Sequence, residues 1–152
     1  MPKVLLMKHL PPKVLLVDDD EVYLFAAGKT IEATGLADSV DVRNNGQEAI
    51  DYLINLMANG IELPDVIFID INMPVMDGYE AARRIRQMEA ADTARERTPV
   101  IALTAHALSG DREVCLANGM DDYLTKPFDR EALALLLSRW LPASEVSSAQ
   151  AS

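Results

Sequence analysis

Residues 13–20 read KVLLVDDD, an aliphatic run that follows one lysine and stops on three consecutive aspartates. A run without polar alternation suits a strand buried on both faces, and such strands belong to parallel sheets covered by helices on each side. The change to Asp18, Asp19 and Asp20 marks a turn at the carboxyl end of that strand. The pattern returns at 65–70, DVIFID, where a β-branched apolar strand ends on a lone aspartate, Asp70.

Outward from these two strands the chain alternates. A helix is expected from about Glu21 to Thr34, closed by Gly35, then a short strand over 39–43 and a loop at Asn44-Asn45-Gly46. Ala49, Ile50, Leu53, Ile54 and Met57 form one face of the next helix. After the Asp70 strand, Tyr79, Ala82, Ile85 and Met88 recur on a third helix, with Arg83, Arg84 and Arg86 on an opposite, solvated face. Strands over 99–103 and 122–125 bracket a helix from Leu108 to Asn118 capped by Gly119, and a last helix runs from Asp129 to Trp140 before Leu141-Pro142. Five strand–helix units predict a doubly wound α/β domain with a five-stranded parallel sheet in the order 2-1-3-4-5. Ligands of such sheets sit beyond the carboxyl ends of the strands, where the winding reverses between strands 1 and 3.

Composition excludes several classes. The 152 residues, 49% hydrophobic and 25% charged, match one domain with a core of its own. Cys115 is the single cysteine, which excludes an intramolecular disulfide framework and a cysteine zinc site and favours a reducing cytoplasm. With 14 Lys+Arg against 24 Asp+Glu, the net charge of −10 repels nucleic acid and anionic lipid. No apolar run approaches the roughly 18 residues that span a bilayer. Lys3 and Lys8 flank an apolar stretch too short for a signal peptide, and Pro11-Pro12 follows instead of a small-residue cleavage site. The expected organisation is an extension over 1–11, a domain over 12–142 and a small, polar, disordered tail over 143–152. PKVLL occurs at 2–6 and again at 12–16, a repeat without a physical account.

The expected strand ends bring together Asp18, Asp19 and Asp20, then Asp70, Thr104 and Lys126. Converging carboxylates repel one another and require a cation. Oxygen ligands without a His/Cys cluster favour a hard divalent ion, and few protein carboxylates with room for water favour Mg²⁺ over Ca²⁺. Lys126 and Thr104 would then supply a charge and a hydrogen bond to a phosphoryl group. Asp70, alone at the end of the central strand, is the candidate acceptor, with Asp18 and Asp19 side by side as metal ligands.

The segments VLLVDDDE at 14–21, DINMPVMDG at 70–78, LTA at 103–105 and TKPF at 125–128, in that order, resemble the receiver domain of two-component response regulators. The likeness runs from about Lys13 to Leu141; its second half is most similar to receivers attached to hybrid histidine kinases, its first half to free-standing ones. The resemblance implies a flavodoxin-like receiver fold, Asp70 as phosphoacceptor, Asp19 and the Asn72 carbonyl as direct metal ligands beside Asp70, and Asp18 holding a metal-bound water. It further implies Thr104 as switch hydroxyl, Lys126 as phosphate-pairing lysine, Tyr123 as the aromatic that reports phosphorylation, and a cis Lys126–Pro127 bond. The partners implied are a histidine kinase or histidine phosphotransfer protein and a downstream protein target reached through the helix 4–strand 5–helix 5 face, in a monomer or weak homodimer. Such a chain is a signalling phosphoacceptor that dephosphorylates itself slowly, not an enzyme. A haloacid-dehalogenase-like phosphatase needs a second aspartate two residues after the nucleophile, where Asn72 stands, and an FMN carrier would have its phosphate repelled by Asp18–Asp20. His106 and His9 read as histidines without function, and Cys115 and Trp140 as packing residues.

Overall fold

The computed structural model describes residues 12–92, 96–105 and 111–141. Three aliphatic runs and two mixed segments form β1 (Lys13–Val17), β2 (Ser39–Arg43), β3 (Val66–Asp70), β4 (Val100–Thr104) and β5 (Asp122–Thr125), with β2 and β5 the mixed ones. All pairings are parallel, in the order β2-β1-β3-β4-β5, with Val17 opposite Ile69 and Asp70 opposite Leu103. The expected doubly wound sheet is therefore present in the expected order.

Helices α1 (Glu21–Ala33) and α5 (Arg130–Trp140) cover one face, where Leu24, Ile31, Leu133 and Leu137 pack on Leu16, Phe68 and Leu103. Helices α2 (Gly46–Ala58), α3 (Gly78–Ala91) and α4 (Asp111–Ala117) cover the other, around Leu15, Ile67, Ile69 and Ala102. Strand alternation sorts consecutive residues into these two cores. Four helices start on a side-chain cap: Asp20, Asn45, Asp77 and Asp129 accept the backbone N–H three residues on, at 2.8–3.1 Å. Each cap is worth about 1 kcal/mol, and each lies at the carboxyl end of the sheet, so the capping residues also shape the site's rim.

Three expectations need correction. In α2 the buried arc is Gly46, Ala49, Ile50, Leu53 and Leu56, while Ile54 is half exposed. The arc is turned toward Gly46, because a Cβ there would lie 2.9 Å from the Met76 carbonyl oxygen and the loop after β3 packs on that bare backbone. Arg86 of α3 is not solvated: its guanidinium binds Glu89, Asp121 and the carbonyls of Thr98 and Gly119 at 2.7–2.9 Å. Trp140 does more than pack, its indole N–H donating to Asp122 at 3.0 Å. Cys115 is buried core, as expected. The N-terminal extension, His9, His106 and the polar tail lie outside the described residues. Among the described residues, no helix is long and apolar enough to cross a membrane.

Candidate functional site

Because Val17 pairs with Ile69, the next residues, Asp18 just past β1 and Asp70 at the end of β3, project from the same face at the carboxyl ends of the two strands. Both are buried, whereas Asp19 is exposed at the rim. Carboxylate oxygens of the three lie within 4.8 Å of one another. Lys126, one residue past β5, sends its Nζ to within 2.8 Å of Asp18 Oδ2 and 3.4 Å of Asp70 Oδ2. The remaining oxygens accept backbone donors, Asp18 Oδ1 from Asp20 at 3.0 Å and Asp70 Oδ1 from Asn72 at 3.1 Å. Asp20 itself belongs to the α1 cap and not to the carboxylate cluster.

The other expected residues stand close by in a different arrangement. Thr104 is buried, pairs with Thr125, and accepts the Lys126 N–H on its carbonyl at 2.7 Å. Its strand parity matches that of Ala102, so it belongs to the face covered by α2 to α4. Tyr123 packs, partly buried, against that same core. The structure thus brings Asp18, Asp19, Asp70 and Lys126 together and sets Thr104 and Tyr123 on the adjoining face. The side chain of Asn72 is exposed, and its backbone does the local work. The Lys126–Pro127 bond is cis, as the resemblance implies.

Two residues at the site escaped the sequence reading. A Cβ on Gly78 would come within 2.6 Å of the Asp70 carbonyl oxygen, so only glycine lets the loop close behind Asp70. The Tyr23 ring lies beneath Lys126, its centroid 4.5 Å from Nζ, and meets Phe128 edge-on at 6.2 Å. The signal was available: Tyr23 stands in the first turn of α1, where a helical side chain leans back toward the preceding strand end.

The electrostatics follow from the crowding. Burial pushes the Asp70 carboxyl above the usual range and the Asp18 charge adds to it, while the Asn72 N–H and Lys126 pull it back only in part. Burial would lower the Lys126 ammonium, yet the hydrogen bond to Asp18 and the charges of both aspartates outweigh it, so it stays charged at neutral pH. Among the described residues, three carboxylates against one ammonium leave the site short of two positive charges. That deficit and an all-oxygen donor set fit a hard divalent cation held by Asp18, Asp19 and Asp70.

The comparisons with known proteins agree with this geometry. The family model of the response regulator receiver domain matches residues 14–138. The chain is 38% identical over 136 residues to the signal transduction histidine-protein kinase BarA of Escherichia coli strain K12, covering 89% of this chain and 13% of the kinase. It therefore spans about an eighth of that relative's length. Among solved structures, the receiver domain of sensor histidine kinase PA1611 from Pseudomonas aeruginosa PAO1, with magnesium coordinated in its active site cleft, superposes with a TM-score of 0.68 at 38% identity, covering 86% of this chain and 98% of that one. The Saccharomyces cerevisiae receiver domain of Ssk1, crystallised with the histidine phosphotransfer protein Ypd1, gives 0.70 at 31% identity over 86% and 89%. The chain belongs to the response regulator receiver domain family.

Proposed function

We propose that this receiver accepts a phosphoryl group on Asp70 from a histidine kinase or a histidine phosphotransfer protein and passes the change on through its α4–β5–α5 face. The observation that carries this reading is the buried Asp70 carboxylate held beside Asp18, Asp19 and the Lys126 ammonium with too little positive charge to balance them. In the transfer, an Asp70 oxygen forms a bond to phosphorus as the bond from phosphorus to the donor's imidazole nitrogen breaks, and the electron pair leaves with that nitrogen. Asp19, Asp70 and the Asn72 carbonyl would hold Mg²⁺, with Asp18 holding a metal-bound water, and the ion would supply the charge that neutralises the phosphoryl oxygens. Lys126 moves from the carboxylates to a phosphoryl oxygen, keeping its ion pairing while the site's charge grows. The Asn72 N–H holds Asp70 in place for attack. Thr104 donates its hydroxyl to the phosphoryl group, and Tyr123, packed on the same face, follows it inward, which links the site to α4 and α5.

The state is a signal and not a turnover intermediate, because Asn72 supplies no general acid or base two residues after the acceptor and loss of phosphate is left to slow, metal-assisted attack by water. The working unit is 12–142, acting in the cytoplasm through protein partners, as a monomer or weak homodimer, without nucleic acid. Intact-mass spectrometry after incubation with acetyl phosphate tests the reading. A single Mg²⁺-dependent phosphoryl adduct, labile to base and absent from Asp70→Asn, is expected; no adduct in the wild-type chain, or an adduct that survives in Asp70→Asn, overturns it.

A further inference from the structure

We propose that Tyr23 is a positioning residue for phosphoryl transfer, its ring being the rest on which the Lys126 ammonium is held against Asp18 and Asp70. The inference rests on the reading of Asp70 as acceptor and adds a residue to that machinery.

Lys126 reaches the site on a flexible four-carbon stem and keeps 20% of its side chain exposed, so two carboxylates on one side do not by themselves fix its head. The face of Tyr23 adds a third contact, its centroid 4.5 Å from Nζ, well inside the range in which a ring quadrupole attracts an ammonium. That ring is itself held. Its backbone N–H is bound by the Asp20 cap at 3.1 Å, its edge geometry with Phe128 is nearly perpendicular at 86°, and it packs on the core shared by α1 and α5. Tyr23 therefore ties the start of α1 to the 126–128 loop, the two segments that must keep register for Lys126 to address Asp70.

The choice of an aromatic ring has a mechanistic reason. On phosphorylation the ammonium must leave Asp18, its nearer partner, and turn to the incoming oxygens. A hydrogen-bond acceptor in place of the ring would hold it in one position, whereas a ring face attracts a cation with little directionality and allows the shift. The phenol hydroxyl takes no part in this: it is buried without a hydrogen-bond partner among the described residues. Burial, and then the charges of Asp18 and Asp70, hold the phenol well above its ordinary range, so no second anion forms beneath the site.

The experiment compares the full chain with Tyr23→Leu and Tyr23→Phe, each with Lys126 intact and with Lys126→Ala, by the rate of adduct formation from acetyl phosphate at saturating Mg²⁺. The Lys126 ε-methylene proton shifts, assigned by their loss in Lys126→Arg, are recorded in parallel. Tyr23→Leu should react about fivefold more slowly, Phe should restore the lost rate, and the Leu effect should vanish when Lys126 is absent. The ε-methylene should resonate upfield in wild type and Tyr23→Phe and lose that shift in Tyr23→Leu. Thermal melts confirm folding, with Tyr23→Met replacing a leucine variant that does not fold. An unchanged rate in Tyr23→Leu, a Phe variant as slow as Leu, a slowing that persists without Lys126, or an unshifted wild-type ε-methylene each overturn the proposal. A wild-type chain with the upfield shift but no adduct identifies the failure as that of the Asp70 reading, which removes this one with it.

Discussion

Two acidic clusters occupy opposite ends of the same sheet. At the carboxyl end, Asp18, Asp19 and Asp70 lie together, and among the described residues one cation, Lys126, pairs with Asp18 and Asp70. At the amino end, Glu89, Asp121 and Asp122 meet four arginines: Arg86 between Glu89 and Asp121, Arg97 on Asp121, and Arg112 and Arg139 on Asp122. The second cluster is also saturated with neutral donors, Asp121 taking the Val100 N–H and Asp122 the Trp140 indole and the Tyr123 N–H. Burial acts against both Asp70 and Asp122, yet Asp122 is held below the usual carboxylate range by Trp140, Tyr123, Arg112 and Arg139, while Asp70 is left above it. A buried aspartate is thus not in itself a mark of function. The mark is a charge left unbalanced at a place where a ligand can arrive.

This contrast can be broken most strongly at its saturated end. Asp122→Ala strands the indole N–H and the Tyr123 N–H and frees two arginines, and should lower unfolding free energy by about 3 kcal/mol in urea melts without abolishing phosphorylation. At the other end, Mg²⁺ at one hundred times its Kd should raise the stability of the wild-type chain by about 2.7 kcal/mol and leave Asp70→Asn and Asp18→Asn nearly unmoved in the same thermal scan. Asp70→Asn without Mg²⁺ should be more stable than wild type by about 1–2 kcal/mol, since it removes one member of an under-neutralised buried set. A smaller effect is expected at Val75, a β-branched residue at φ 69° in the loop after Asp70: Val75→Gly should gain about 0.5–1 kcal/mol by relieving left-handed backbone.

The pH dependence should separate the two ends by sign. A carboxyl raised above its unfolded value of 3.8 makes the folded state bind more protons than the unfolded one, so the Asp70 penalty grows as pH rises from about 3.8 and is complete above its folded value. The advantage of Asp70→Asn should therefore shrink as pH falls toward 3.8. A depressed carboxyl does the opposite. The contribution of Asp122 is fully present above 3.8 and is lost as pH falls through its lower folded value. The deficit of Asp122→Asn should then persist at pH 5 and close only in stronger acid, and matched trends for the two variants would remove the distinction drawn between the ends.

The two clusters were not equally legible. Asp18, Asp19 and Asp70 could be read from sequence because they stand at the ends of aliphatic runs, Lys126 because it follows the short strand over 122–125, and parallel strands align their carboxyl ends. Arg86 was misread as solvated because helical periodicity places it on the polar side of α3, and nothing local states that the Gly119 turn and Asp121 come to cover that side. Trp140 looked like packing because its indole partner lies 18 residues away. The turn of the α2 arc toward Gly46 depended on the Met76 loop, also a non-local contact.

The sequence by itself determined the element order, the parallel sheet and the residues at its carboxyl ends, because strand burial and alternation are encoded in neighbouring residues. Tertiary structure alone decided how charge is balanced. Whether an aspartate is matched by two arginines, as Asp121 and Asp122 each are, or left with one lysine and a tyrosine ring depends on side chains that meet only after the helices have packed, and Coulomb and desolvation energies are set by those distances and that burial, not by separation along the chain.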